Sequence, residues 1–256
     1  MFDALGDRMK NFYENRSRQF LTRRVPVIIR IDGKCFHSYT KNLLRFLKEN
    51  EKINERELPY ISIFKQLMES TAEYLYNNIQ GVKCAYTQSD EISLVLSDMD
   101  TISTEGAFNY NRDKLISISA SMASAWFNYL VSNIFPTFIK DKNVAVFDSR
   151  AFSIPCYEVG NYIRWRYKDW VRNSIQLLAQ HHFSSKKLHG KCQAAMHEML
   201  HTIGVNWADL DNKWKNGTLY LKKDSKFEKA YDIKEFMETD QIFEYFADIF
   251  VLNKKE

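Results

Sequence analysis

His197, Glu198 and His201 stand in the spacing His-Glu-x-x-His. On a helix, residues four apart share a face, so both imidazoles could reach one Zn²⁺ while Glu198 acts as base on a bound water. Gly204 falls where the extended zinc-peptidase pattern has its glycine, but the third ligand would fall at 207, which is Trp207. No nearby Glu or His replaces it. The plainer expectation is a helix with Met196, Met199, Leu200 and Ile203 as its buried stripe. His197, Glu198 and His201 then face outward.

A second chemistry needs carboxylates. Asp32 closes the apolar run "VPVIIRIDG" just before Gly33, and Ser89-Asp90-Glu91 lies in the bend of "VKCAYTQSDEISLVLS". Each motif alone is also ordinary turn chemistry, the Asp making a local hydrogen bond to the backbone. Together they carry more, because both acids follow apolar strands of one βαββ unit. If the first strand lies mid-sheet and pairs with the hairpin, Asp32 and Asp90 meet at one edge. Two carboxylates and a backbone carbonyl suit a hard cation such as Mg²⁺, which keeps waters and takes substrate phosphates. Two such ions ~3.5–4 Å apart stabilise the attacking and leaving oxygens of an in-line phosphoryl transfer.

The elements that must position these acids follow from periodicity. Residues 3–16 read as a polar helix with Leu5, Met9 and Phe12 on one side, and 25–33 as a strand. Residues 35–57 are highly charged and read as a short helix plus a surface loop. Residues 58–79 repeat apolar side chains at helical spacing, and 82–97 alternate as a hairpin. A long helix is expected over 111–135, its small residues Ser119 to Ala125 allowing close packing. A strand over 143–155, helices over 157–181 and 184–203 stopped at Gly204, and a strand over 217–223 follow. The tail 224–256 reads as a docked aromatic segment. Strand–helix–strand–strand–helix–strand is the ferredoxin-like βαββαβ order of the α+β class. The expected division is 1–155, a region carrying both acids, and 156–256, a helical region, within a single domain.

Composition bounds the rest. With 256 residues, 45% hydrophobic and 14% aromatic, the chain can build a large core, and 8 Gly with 4 Pro argue against a loop-dominated chain. A net charge of +4 permits a nucleic-acid partner without requiring one. Cys35, Cys84, Cys156 and Cys192 form no C-x-x-C pair, which argues against a cysteine zinc site and for a reducing compartment. The first twenty residues mix acids and bases and do not read as a secretory signal. No run approaches the ~18–20 apolar residues of a membrane span. The basic residues interleave with aromatics in "IRWRYKDWVR" (163–172) and cluster in "SSKKLHGK" (184–191), a composition that can meet phosphates and stack on bases. A packed face with solvated lysines and arginines would look the same.

"RIDGKCFHSYT", "YTQSDEISLVL", "FDSRAFSIP" and "GVNWADLDNKWKNGTLYLKK" occur in this order, and the chain from about residue 4 to 223 resembles the tRNA(His) guanylyltransferase family. Those enzymes extend RNA in the 3′-to-5′ direction on a polymerase-palm-like fold. The resemblance implies that Asp32, the Gly33 carbonyl and Asp90 hold two Mg²⁺ ions. It makes Asp32, Asp90 and Glu91 the candidate catalytic carboxylates. It also implies that Asp32, Gly33, Lys34, Cys35, Phe36 and His37 wrap a nucleotide, that Ser89 and Asp90 meet its triphosphate, and that Arg112 and Lys114 contact phosphates. A second family lysine corresponds to Lys41 or Lys48. Arg172, Asn173, Lys186, Lys187 and Lys191 are the candidate RNA contacts.

Members dedicated to tRNA(His) carry His-Ile-Asn-Asn where this chain has Val171-Arg172-Asn173-Ser174. That departure resembles the Thg-like branch, which repairs truncated tRNA 5′ ends against the opposite strand. The function implied is activation of a 5′-phosphate by ATP, then attack by the 3′-hydroxyl of GTP or another NTP. A homotetramer in the cytoplasm or an organelle, with tRNA and nucleoside triphosphates as partners and no membrane, completes the expectation. The alternatives are a tRNA(His)-only enzyme adding G at position −1, a non-catalytic RNA-binding module, a nucleotide cyclase, and the zinc peptidase.

Overall fold

The computed structural model describes residues 3–52, 59, 61–223 and 226–251. Its strands are β1 (Val27–Gly33), β2 (Val82–Gln88), β3 (Glu91–Leu96), β4 (Phe147–Ser153), β5 (Thr218–Lys223) and β6 (Lys226–Ala230). They form one antiparallel sheet in the order β4-β1-β3-β2-β5-β6. The class is α+β. β1 reads as a nearly unbroken apolar run because both its faces are covered. Val27, Ile29 and Ile31 face one core, and Ile28 faces the other.

The first core is closed by α2 (Phe36–Glu49), α3 (Ser62–Asn78), α4 (Arg112–Ile134) and α5 (Pro136–Lys140). Rings dominate it: Phe36 packs on Tyr39, Phe64, Phe127 and Phe147 at centroid distances of 4.9–6.0 Å. The small residues of α4 do bring it close to the sheet. Ser119 Oγ lies 2.8 Å from Ser149 Oγ, and Ser124 Oγ accepts the Phe147 N–H at 3.0 Å. The second core lies under α6 (Cys156–His182), which buries Val159, Ile163, Tyr167 and Trp170 at helical spacing. Beyond the sheet, the end of α6 packs on α7 (Ser185–Leu188) and α8 (Gln193–His201). A short α9 (Asn212–Lys215) precedes β5, and α10 (Lys234–Glu238) and α11 (Gln241–Ile249) return to the second core.

Several sequence expectations shift. Residues 36–49 form a full helix instead of a short one, because Phe36, Tyr39, Leu43 and Leu47 give it a buried stripe amid its charges. The remainder of that charged segment, 53–58, lies outside the described residues. The strand expected over 143–155 begins at Phe147, and 184–203 is broken in two around Gly190, whose φ is +71°. The C-terminal part is not only helical: β5 and β6 extend the sheet beyond β2. The N-terminal helix, α1 (Ala4–Phe12), is capped by Asp3, whose Oδ1 accepts the Gly6 N–H at 3.0 Å. It buries no residue and leaves Leu5 and Phe12 exposed.

Candidate active site

Antiparallel pairing brings the acids together. Asp32 stands opposite Glu91 on β3 and Asp148 on β4, and the Gly33 N–H donates to the Asp90 carbonyl at 3.1 Å. Asp90 occupies a two-residue turn between β2 and β3 in which Ser89 adopts φ +49°. The Ser89 hydroxyl donates to Asp90 Oδ1 at 2.9 Å. After Gly33 the chain reverses through Cys35, left-handed at φ +58°, straight into α2. A Cβ on Gly33 would stand 2.3 Å from the Phe36 ring, so glycine is required where strand, turn and core meet.

Burial, and then Asp148, hold the Asp32 carboxyl above the usual carboxylate range, while Arg30, Arg150 and Arg166 pull it back. Asp90 is likewise raised, by burial first and also by Asp32, against the Ser89 hydrogen bond. Two adjacent carboxylates that resist ionising together are an arrangement whose mutual repulsion a cation would relieve. No group of three His, Cys, Asp or Glu side chains able to hold a metal occurs among the described residues. The donor set therefore fits a hard cation that shares its shell with water and phosphate, and not a protein-caged transition metal.

Glu91 does not complete this pair as a free third carboxylate. Its two oxygens receive Arg166 Nε and Nη2, each at 2.7 Å, and both residues are buried.

Beside Asp90 and Ser89 opens a cavity of 540 Å³. Phe36, Phe64, Trp170 and Trp214 give it aromatic walls, Lys41, Lys48, Lys65 and Lys213 give it cations, and His37 adds an imidazole. Both candidate lysines of α2 therefore face the same space, seven residues and about two turns apart. Phe36 contributes a ring that is anchored in the core, whereas Lys34, Cys35 and His37 are exposed. Trp170, His181, Lys213 and Trp214 were not among the expected nucleotide-contacting residues. Trp170 belongs to the aromatic-basic stretch 163–172 and Lys213 and Trp214 to the block "GVNWADLDNKWKNGTLYLKK", neither of which names them as nucleotide contacts, and His181 carries no signal in the sequence.

Arg112 and Lys114 are not brought to this site. Neither lines the cavity beside Asp90; the Phe147 end of β4, which adjoins Gly33, meets α4 at Ser124, and Arg112 begins the same helix twelve residues, about 18 Å, earlier. There the Arg112 backbone N–H donates to the Gln19 carbonyl at 2.8 Å, and its guanidinium pairs with the Gln19 side chain. Arg172 and Asn173 are exposed on α6 and both donate to Asp169. Lys186, Lys187 and Lys191 are exposed around α7.

The His-Glu-x-x-His segment is packing. Met196 and Leu200 are buried, although Ile203 is 47% exposed and leaves the expected stripe. The His197 ring meets Trp207 edge-on at 5.8 Å, so the residue in the third-ligand position holds the helix instead of a metal. His201→Ala is expected to change stability by no more than about 0.5 kcal/mol and to leave zinc content at zero. Elemental analysis of the purified protein with a melting curve checks both.

A family profile described as tRNAHis guanylyltransferase matches residues 6–155. The tRNA(His) guanylyltransferase of Saccharomyces cerevisiae is 29% identical over 248 residues, covering 89% of this chain and 95% of its own. That of Kluyveromyces lactis is 30% identical over 213 residues, covering 77% and 82%. Among solved structures, a bacterial tRNA(His) guanylyltransferase-like protein in complex with ATP superposes with a TM-score of 0.81 at 36% identity, covering 94% of this chain and 99% of that one. A bacterial guanylyltransferase-like protein in complex with GTP gives 0.73 at 33% identity, covering 95% and 99%.

Proposed function

Because the chain belongs to the tRNA(His) guanylyltransferase family, we propose that it is a nucleotidyltransferase that rebuilds truncated tRNA 5′ ends by 3′-to-5′ addition against the opposite strand. The observation that carries this reading is the Asp32–Asp90 pair beside a cationic, aromatic cavity of nucleotide size. The strand order β4-β1-β3-β2 supports a ferredoxin-like palm beneath it. Solved relatives with ATP and with GTP support nucleoside triphosphates as substrates.

Asp32, the Gly33 carbonyl and Asp90 would hold Mg²⁺, which supplies charge neutralisation at the phosphates undergoing displacement. Ser89, with the exposed Lys34, Cys35 and His37, would meet the triphosphate. Lys41, Lys48 and Lys213 supply cations along the cavity, and Trp170 and Trp214 offer faces on which a base stacks. In the first step a 5′-phosphate oxygen attacks the α-phosphorus of ATP, and pyrophosphate leaves. In the second, the 3′-hydroxyl of an incoming NTP attacks the activated 5′-phosphorus, AMP leaves, and the hydroxyl proton passes to solvent. Specificity then comes from base pairing, so the protein reads shape and phosphate. Val171–Ser174, in place of a tRNA(His)-dedicated motif, favours this over addition of G to tRNA(His) alone.

The same reading includes a homotetramer, for which the exposed apolar side chains of α1 are a candidate interface. It places the reaction in the cytoplasm, which suits the free cysteines. No described helix is long and apolar enough to cross a membrane.

A 5′-monophosphorylated tRNA incubated with ATP labelled at the α-phosphate is expected to acquire label at its 5′ end when no other NTP is present. Loss of that label on adding a complementary NTP supports the second step. Absence of label under all conditions removes the two-step reaction.

The acid pair also gives a stability prediction. Folding holds both carboxyls above their usual range, so the folded state binds more protons than the unfolded chain. Metal-free stability must then fall as pH rises from the ordinary carboxylate range through the raised values. At pH 7 in EDTA, Asp32→Asn is expected to melt at or a few degrees above wild type. Mg²⁺ should raise the wild-type melting temperature alone. A variant that melts lower in EDTA would show that the carboxylate stabilises the fold.

A further inference from the structure

Arg166 lies in the aromatic-basic stretch 163–172, a composition that suits either phosphate contact or a solvated face. It is instead 7% exposed and aims inward at Glu91, the residue that follows Asp90 and faces Asp32 across the β1–β3 pairing. We propose that Arg166 is a positioning residue for nucleotidyl transfer: its two-bond clamp on Glu91 withholds the third carboxylate from the cation site and fixes the turn that carries Asp90. This rests on the reading of Asp32 and Asp90 as the cation-holding pair.

The register puts Glu91 and Asp32 on the same sheet face, where directly opposed residues are close neighbours. A free Glu91 would therefore be a third acid within reach of any cation held by Asp32. Arg166 prevents this with Nε and Nη2 on separate carboxylate oxygens, each at 2.7 Å. Such a planar fork fixes the direction of the carboxylate as well as its charge. The clamp is held from behind. Arg166 Nη2 also donates to Asp169 at 3.1 Å, and the guanidinium lies 4.5 Å from the centre of the Trp165 ring. At the other end, the Thr87 hydroxyl donates to the Glu91 carbonyl at 2.9 Å, and Ser93 Oγ lies 3.4 Å from Glu91 Oε1. Every joint on either side of Asp90 is thus tied, while Asp90 itself takes only the Ser89 hydroxyl among the described side chains. Asp169 also accepts from Arg172 and Asn173, so the clamp continues to the exposed edge of α6.

The test compares Arg166→Met, Arg166→Lys, Glu91→Gln and the double variant Glu91→Gln/Arg166→Met in the full chain. Mn²⁺ binding is followed by electron paramagnetic resonance, folding by thermal unfolding, and kcat and KM by templated addition per folded molecule. Arg166→Met is expected to bind Mn²⁺ several-fold more tightly, because Glu91 is released, yet to lose about 100-fold in kcat with KM for the NTP unchanged. Glu91→Gln is expected to keep wild-type Mn²⁺ affinity. The double variant should return to that affinity and exceed the single Arg166→Met variant in kcat. Arg166→Lys should not rescue, since one ammonium cannot hold both oxygens along parallel directions.

Wild-type kcat and Mn²⁺ affinity in Arg166→Met overturn the proposal. So does loss of Mn²⁺ binding in Glu91→Gln or in the double variant, because Glu91 would then be a ligand. Those two variants keep the comparison readable if Arg166→Met does not fold. Failure of the enzymatic reading looks different: wild-type protein adds no nucleotide, while the Mn²⁺ comparison still reports on the clamp.

Discussion

Asp32→Ala and Asp90→Ala are each expected to lower nucleotide addition by about a thousandfold or more while leaving the chain folded. The size follows from what the pair does in the proposed reaction. Neutralising charge on the phosphates of an in-line displacement is worth several kcal/mol, and each 1.36 kcal/mol is about tenfold in rate. The intact fold follows from burial. Both carboxyls are held above their usual range, so neither contributes a favourable ion pair that alanine would remove. Single-turnover addition measured beside a melting curve checks both halves. A variant with native melting and near-native addition would show that the acids are turn residues only. Asp148 is the control: it stands opposite Asp32 but is 56% exposed on an edge strand, and Asp148→Ala is expected to remain active.

Phe127→Ala carries the largest expected stability loss. Phe127 is fully buried on α4 and touches the rings of Phe36, Tyr39, Phe64 and Phe147 at centroid distances of 5.5–6.2 Å. Truncating a buried Phe costs about 3–5 kcal/mol, because lost burial and a residual cavity add. In a chain of this size that lowers the melting temperature by about 10 °C. The effect should reach the site. Phe36 is the first residue of α2, and its ring sets the space available beside Gly33. With one wall of that ring gone, KM for the NTP is expected to rise at temperatures where the variant is still folded. Scanning calorimetry and nucleotide titration measure the two effects. A fall of only a degree or two would mean that the aromatic cluster repacks around the gap.

The acid pair was legible because strand chemistry is local and register does the rest. β-branched runs ending in Asp-Gly and Ser-Asp-Glu mark two strand ends, and antiparallel pairing must bring those ends together. Trp207 in the place of a third ligand was equally legible against zinc. The cavity walls were not. Trp170 and Trp214 come to the cavity beside Asp90 from α6 and α9, far along the chain, and aromatic residues at helical spacing look the same whether they line a pocket or fill a core. Arg166 shows the same limit. Four basic residues interleaved with rings read as one cationic face, but helical spacing turns Arg166 inward to Glu91 while Arg172 stays in solvent. Arg112 and Lys114 came from resemblance alone; they lie in the first turn of α4 and do not line the cavity. The helix over 36–49 was underestimated because its charges hid a buried stripe with one apolar residue per turn.

The most direct test of templated addition uses one tRNA lacking its first nucleotide and four versions of the base opposite the gap. Each is given 5′-monophosphate, ATP, Mg²⁺ and all four NTPs. The account predicts that the nucleotide added changes with the opposite base, following Watson–Crick pairing in all four. Addition of G regardless of that base, or only to tRNA(His), would contradict it and identify a dedicated guanylyltransferase.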